Sequence, residues 1–285
     1  MGSLRGILEA SFATAVSSPL LSRVVGRLAD LRLPPAILAP LIRTYARAFG
    51  VELDEAAEPP GSFPTFDAFF TRRLRPGLRP VASGAGEVAS PSDSRLSTIG
   101  PVPSSGELEQ VKGRSYTIEA LLGSTDEAVP FRGGVSATLY LSPAMYHRVH
   151  APVDGRIVGW RYVPGRLFPV NGPGVRSIPG LFTRNERVIV FIDSEEHGRV
   201  AAVLVGAANV GRITLSGADL VTNRGASAEG VRLPAPTPVR RGDELGVFHL
   251  GSTIVLLVAD PHLAPAEGAA NGALVKMGQA LWRRS

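Results

Sequence analysis

His249-Leu250-Gly251-Ser252-Thr253-Ile254-Val255-Leu256-Leu257-Val258 carries a glycine-serine pair straight into an apolar, β-branched stretch. Such side chains crowd a helix and fit a pleated surface, so residues 253–258 read as a strand. Just ahead of it, Gly251 leaves its carbonyl open to close approach, and Ser252 puts a hydroxyl one bond further along. If a base activates that hydroxyl, the chain can attack itself.

Working outward from this strand, residues 137–141, 156–162, 187–192 and 200–205 are also rich in Val, Ile and Leu and are punctuated by glycine or proline. With 32 Gly and 24 Pro, many turns are expected. An internal echo points to a repeated β unit, because Pro91-Ser92-Asp93-Ser94-Arg95-Leu96 resembles Pro152-Val153-Asp154-Gly155-Arg156-Ile157. Arg241-Gly242-Asp243-Glu244-Leu245-Gly246 is similar to turns in biotinyl- and lipoyl-carrier domains. The expected class is α+β: a β-rich sandwich or flattened barrel, built from carrier-like repeats, behind an N-terminal helical segment.

That segment covers residues 1–60. Leu, Ala, Val and Ile dominate its first fifty positions, with Arg23, Arg27, Arg32, Arg43 and Arg47 at intervals that suit amphipathic helices, broken near Pro34-Pro35. No apolar run is long enough to span a bilayer, and Glu9 interrupts the first one, which also argues against a secretory signal. The helices suit either a membrane surface or packing on the protein's own core. The acidic, proline-bearing stretch from Asp54 to Gly61 marks the boundary with residues 61–285. Beyond it, a short helix over residues 62–74 carries Phe66, Phe69 and Phe70 as core aromatics, while Arg72, Arg73, Arg75 and Arg79 are candidates to meet a phosphate.

A chain of 285 residues with 44% hydrophobic content can bury a substantial core. It has no cysteine, which removes disulfides, thiolate metal sites and cysteine nucleophiles. A formal charge of +5 and a pI near 10.0 suit an anionic partner. With 6% aromatics and no basic strip carrying stacking rings, anionic membrane fits better than nucleic acid.

The candidate bases are His147 and His150, two of five histidines, in Tyr146-His147-Arg148-Val149-His150. On a helical turn after Ser142-Pro143 they share a face; in an extended segment they do not. Asp93 and Asp154 are equally placed as orienting acids, each in a turn where an Asp ordinarily bonds its own backbone.

Five segments taken together resemble phosphatidylserine decarboxylase, and they occur in that family's order: residues 69–80 (Phe-Phe-Thr-Arg-Arg-Leu-Arg-Pro-Gly-Leu-Arg-Pro), Ser90-Pro91-Ser92-Asp93, Tyr146 to Pro152, Asn185-Glu186-Arg187, and Leu250-Gly251-Ser252-Thr253. The resemblance covers residues 60–260 and departs from the family at Asp93-Ser94, where Asp-Gly is usual. It implies a self-cleaving, pyruvoyl-dependent enzyme that converts phosphatidylserine to phosphatidylethanolamine and carbon dioxide. Asp93 rather than Asp154 would orient His150, His150 would take the proton from Ser252, and the hydroxyl would attack Gly251. The cut would leave chains 1–251 and 252–285, with the pyruvoyl group made from Ser252. His147 would serve decarboxylation. Phe168 and Asn171 are the candidates for substrate binding, no metal is implied, and the enzyme would sit peripherally on the cytoplasmic face of the cell membrane. A homodimer is among the assemblies left open. Two other readings stand beside this one: a β domain that binds lipid or a partner without cleaving, and a metal-dependent hydrolase using His147 and His150.

Overall fold

The computed structural model describes residues 19–111, 113–208, 212–223 and 229–284. The stretch before residue 19, where the sequence reading expects helix and which includes Glu9, and the side chain of Arg23 lie outside the described residues. Helix α1 (Pro19–Ala29) and helix α2 (Pro35–Phe49) are separated at the expected Pro34-Pro35 step, with Pro35 in the first turn of α2, where its missing N–H costs nothing. Leu38, Ile42 and Ala46 recur on the inner face of α2 and pack with Phe63 and Phe69. Helix α3 is shorter than the sequence suggests, Phe66–Phe70, and is capped by Thr65 Oγ1 accepting from Ala68 N–H at 3.0 Å. The chain leaves the helix at Thr71 because it next pairs with the incoming linker: Ala57 N–H bonds the Arg73 carbonyl, and Arg75 N–H bonds that of Glu55.

The strands are β1 (Glu87–Ala89), β2 (Ser94–Pro101), β3 (Glu107–Val111), β4 (Arg114–Thr117), β5 (Val135–Leu141), β6 (Arg148–His150), β7 (Gly155–Val163) and β8 (Arg187–Ser194), then β9 (Gly198–Val205), β10 (Arg212–Leu215), β11 (Glu229–Val239), β12 (Glu244–His249), β13 (Ser252–Val258), β14 (Leu263–Pro265), β15 (Leu274–Val275) and β16 (Ala280–Arg284). The short helices α4 (Ile118–Leu122), α5 (Thr125–Ala128), α6 (Gly172–Ser177) and α7 (Leu181–Arg184) complete the order. Eight strands form one antiparallel sheet in the order β11-β7-β8-β9-β13-β5-β2-β15, flanked by β10-β12-β6 and β1-β16-β14. The large sheet is open, since β11 and β15 end it without pairing to each other, so the expected barrel does not close.

β13 lies at the centre, and all seven of its residues are buried. Alternate side chains go to opposite faces: Ile254, Leu256 and Val258 join one core, and Val255 and Leu257 the other. β9 divides in the same way, Val200, Ala202 and Leu204 against Ala201, Val203 and Val205. A sheet covered on both faces explains why the opening stretch is continuously apolar instead of alternating.

The echo of Asp93 and Asp154 corresponds to matched geometry. Outward from β9 and β13, β8 answers β5, β7 answers β2 and β11 answers β15. Gly278 N–H bonds the Ser90 carbonyl and Gly242 N–H that of Ala151, both at 2.9 Å. The halves also cross over, His150 N–H to Pro91 C=O at 2.8 Å and Ala89 N–H to Pro152 C=O at 2.9 Å. Each Asp accepts a backbone N–H, Asp93 from Met277 at 2.8 Å and Asp154 from Arg241 at 3.0 Å. Both donors precede a left-handed glycine, Gly278 (φ 86°) or Gly242 (φ 92°), where an added Cβ would also strike Pro80 or Val81.

Asn185, Glu186 and Arg187 are a buried network. Asn185 clasps both backbone groups of Phe168 and the Gly206 carbonyl. Arg187 donates to the carbonyls of Ala120, Leu121, Thr183 and Asn185, tying the ends of α4 and α7 to β8, and burial pushes its guanidinium down to about 10. Arg187→Met leaves those carbonyls without their donor. It is expected to lower stability by about 3 kcal/mol in urea unfolding.

Candidate active site

Ser252 opens β13 opposite Leu141 of β5, so the sheet holds its backbone on the β5 side. The two residues before it form a left-handed turn, Leu250 at φ 77° and Gly251 at φ 71°. Glycine adopts this conformation freely, whereas a leucine there costs about 1–2 kcal/mol. Ser252 Oγ is buried and has no hydrogen-bond partner among the described residues. Thr253 Oγ1 and the Tyr116 hydroxyl are buried orphans too, but Ser252 alone of the three directly follows the left-handed turn, and that marks it as the candidate reacting position.

The turn over residues 143–146 does not become a helix, and β6 follows in extended form. The two imidazoles therefore have different surroundings. His147 is fully buried, its ring centroid 4.1 Å from that of Phe70. Its Nδ1–H donates to the Met145 carbonyl at 2.8 Å, which leaves the lone pair on Nε2, and Nε2 has no partner among the described residues. Burial lowers its pKa to about 3, so the ring is neutral. His150 donates from Nδ1 to the Gly242 carbonyl at 2.7 Å and accepts at Nε2 from the Tyr146 hydroxyl at 3.1 Å. Burial lowers its pKa too, and burial raises the Tyr146 hydroxyl to about 12, which keeps that hydroxyl a donor.

Acid is therefore expected to loosen the fold. The unfolded chain protonates His147 below its ordinary 6.5 while the native chain resists until about 3. The unfolded state thus binds more protons across that window, and stability falls as pH drops through it. Urea midpoints measured from pH 7 to pH 4 should decline, and His147→Asn, which can keep the bond to Met145, should flatten part of the slope.

Asp93 is buried, whereas the Asp154 side chain is 66% exposed, so burial separates two residues that the sequence leaves equal. The Asp93 carboxylate accepts from two Arg79 nitrogens, Nε shared between both oxygens at 2.9 and 3.2 Å and Nη2 at 2.7 Å, with Lys276 Nζ 3.6 Å away, and bonds neither imidazole directly. Arg79 also reaches Glu55 at 2.5 and 3.1 Å. This arginine, a phosphate candidate by sequence, is spent on two carboxylates here. Ser94 takes an ordinary backbone conformation and places its hydroxyl 2.6 Å from that of Ser92. A cavity of about 150 Å³ opens beside Asp93, with Arg72, Ser142, Tyr146 and Lys276 on its walls.

Phe168 and Asn171 are placed elsewhere. Phe168 packs in the core with the Arg184 guanidinium 4.8 Å above its ring, and Asn171 caps α6 by accepting from Gly174 N–H at 3.1 Å. Neither lines the cavity beside Asp93. Three contributors were given no role in the site from sequence: Tyr146 on His150, the Gly242 carbonyl, and Phe70 against His147. Each lies in a stretch quoted above, Tyr146 in the histidine segment, Phe70 in residues 69–80 and Gly242 in the carrier-like turn, but none of those stretches says which side chain it meets. Among the described residues no three His, Asp or Glu side chains gather in a metal-holding group.

Singly, these residues are a nucleophile without a described partner, a strained Leu250 backbone just ahead of it, and two neutral imidazoles with fixed tautomers. A group made from Ser252 itself fits here, because the orphan Oγ and the bare Nε2 of His147 are buried polar atoms with nothing yet to bind. Known proteins point the same way. A family model described as phosphatidylserine decarboxylase matches residues 66–283. The chain is 40% identical to a phosphatidylserine decarboxylase proenzyme of Myxococcus xanthus over 91% of this chain and 92% of that one. It is 42% identical to the proenzyme of an Anaeromyxobacter species over 92% and 93% of the two chains. With that of Pseudomonas aeruginosa it shares 42% identity over 92% of each.

Proposed function

This chain belongs to the phosphatidylserine decarboxylase family, and from that premise we propose that it cuts itself between Gly251 and Ser252 and acts through the new terminus of residues 252–285. It is a carboxy-lyase that converts phosphatidylserine to phosphatidylethanolamine and carbon dioxide. The observation that carries the mechanism is the buried, unpartnered Ser252 hydroxyl directly after the left-handed Leu250-Gly251 turn.

In the first stage His150 Nε2 takes the Ser252 proton, which requires the Tyr146 hydroxyl to give up that nitrogen or to relay the proton. Ser252 Oγ bonds the Gly251 carbonyl carbon, the Gly251–Ser252 C–N bond breaks, and the proton passes to the released nitrogen. The amide has become an ester. Loss of the Ser252 α-proton then expels Gly251 as a carboxylate and leaves dehydroalanine, whose imine tautomer takes up water and releases ammonia. The Gly242 carbonyl sets the His150 tautomer. Burial depresses His150, and the Gly242 carbonyl, then the Glu244 charge, then the Asp93 charge oppose it, so Asp93 contributes without bonding the ring.

In the second stage the pyruvoyl group supplies a ketone for the substrate amine and an electron sink as carbon dioxide leaves. His147 moves the proton. Its bare Nε2 accepts one from the substrate ammonium and later returns it to the carbon that lost the carboxylate. The substrate's own carboxylate, brought alongside, offsets the burial penalty on the charged ring.

The helical segment, residues 1–60, is read as the part that meets the membrane, with residues 61–285 as the catalytic body. No helix among the described residues is long and apolar enough to cross a bilayer. Ile37, Leu41 and Phe49 are exposed on the outer side of α2, joined by Leu28 and Leu31, with Arg27, Arg32, Arg43 and Arg47 exposed among them. Apolar side chains ringed by arginine suit the cytoplasmic face of a membrane rich in anionic lipid. The matched hydrogen bonds of the two halves support reading them as carrier-like β units. The test is decarboxylation itself: purified protein should release labelled carbon dioxide from carboxyl-labelled phosphatidylserine in mixed micelles and leave phosphatidylethanolamine. Fully cut protein that releases none would contradict the function.

A further inference from the structure

Resting on the self-cleavage read above, we propose that Asp67, His249 and Arg212 form a clamp that holds the Leu250-Gly251 turn in its left-handed, cleavage-ready shape. His249 and Asp67 are then positioning residues for the cut. β12 ends at His249 and β13 begins at Ser252, so two residues alone join the strands, and both have positive φ. Leucine does not rest in that conformation unless its flanks hold it there. On the far side Ser252 is fixed in the ladder with β5.

On the near side the hold is the His249 side chain. Its Nδ1 lies 2.8 and 3.0 Å from the two Asp67 oxygens, and its Nε2 lies 3.2 Å from the Thr214 hydroxyl. Arg212, opposite His249 in the β10–β12 register, donates to Asp67 at 2.7 Å and to Asp30 at 2.6 and 3.0 Å. Both ring nitrogens are therefore held, Nδ1 by Asp67 of α3 and, at 2.9 Å, by Arg212 of β10, and Nε2 by Thr214 of β10. Asp67 sits on the five-residue helix that also places Phe70 against His147, so α3 touches both the upstream side of the cut and the imidazole assigned to turnover. A peptide within a strand turns its carbonyl toward the neighbouring strand. The held turn takes the Gly251 carbonyl off that course, two residues after the clamp and one before the nucleophile.

The test follows the appearance of the small chain after a pulse of synthesis. His249→Ala and Asp67→Ala should each slow it by about ten-fold or more. His249→Gln, which keeps a donor toward Asp67, should stay closer to the parent. Adding Leu250→Gly to His249→Ala should restore the rate to within about three-fold of the parent, because glycine holds positive φ without a clamp. A role confined to stability would not be rescued this way, and melting of each variant in an uncut Ser252→Ala background gives the folding control. Parent-rate cutting by His249→Ala and Asp67→Ala, or a folded double variant that stays slow, would overturn the clamp while leaving self-cleavage intact. A parent that never cuts would overturn both.

Discussion

A chain in which His147 is replaced by alanine is expected to cut itself normally and to decarboxylate at least about a hundred-fold more slowly. The cut does not need this ring, because His150 is the one assigned to Ser252. Turnover, on the proposed assignment, does need it: the substrate ammonium must lose a proton before its nitrogen can attack a ketone, and the carbon that loses carbon dioxide must gain one. His147 Nε2 is a buried nitrogen with no partner among the described residues, and the bond from Nδ1 to the Met145 carbonyl fixes the lone pair there. Phe70 at 4.1 Å excludes water from one face of the ring, so bulk solvent is a poor substitute. The check is labelled carbon dioxide per mole of small chain, with the small chain counted by mass. A variant that turns over like the parent would remove His147 from the chemistry.

His150→Ala is expected to have the opposite profile, with the precursor accumulating and the small chain forming about a hundred-fold more slowly or not at all. A serine hydroxyl attacks an amide poorly without a base, and His150 offers the correct tautomer because the Gly242 carbonyl holds its Nδ1–H. Tyr146 decides how quickly that base is free, since its hydroxyl occupies Nε2 in the uncut chain. Gel analysis of pulse-labelled protein separates the cases. If His150→Ala cuts at the parent rate, the base lies elsewhere, and the bare Nε2 of His147 is the next to test.

The β body was legible because its signals are local. The five strand runs read from branched apolar residues all appear, each within two residues of its expected ends. The turn echo likewise anticipated that Asp93 and Asp154 occupy matched positions ahead of β2 and β7. What was not legible depends on long-range pairing. Nothing in residues 229–239 and 274–275 says that they finish opposite ends of one sheet, and that is what keeps the barrel open. The partner of His150 is a backbone carbonyl 92 positions away, and a carbonyl has no residue type to recognise. Arg79 reads as a phosphate ligand until its two carboxylate partners are seen. Asn171 and Phe168 sit in segments that resemble the family's, yet one caps a helix and the other packs in the core, uses that make the same pattern of polar and apolar residues.

Self-cleavage at one bond is the central claim, and intact mass under denaturing conditions tests it most directly. Freshly purified protein should give a small chain starting at position 252 and lighter by one ammonia than the unmodified peptide, together with a large chain ending at Gly251. Ser252→Ala should give one uncut chain. Wild-type protein that also remains a single chain of full precursor mass, or a small chain that keeps its serine nitrogen, would contradict the account.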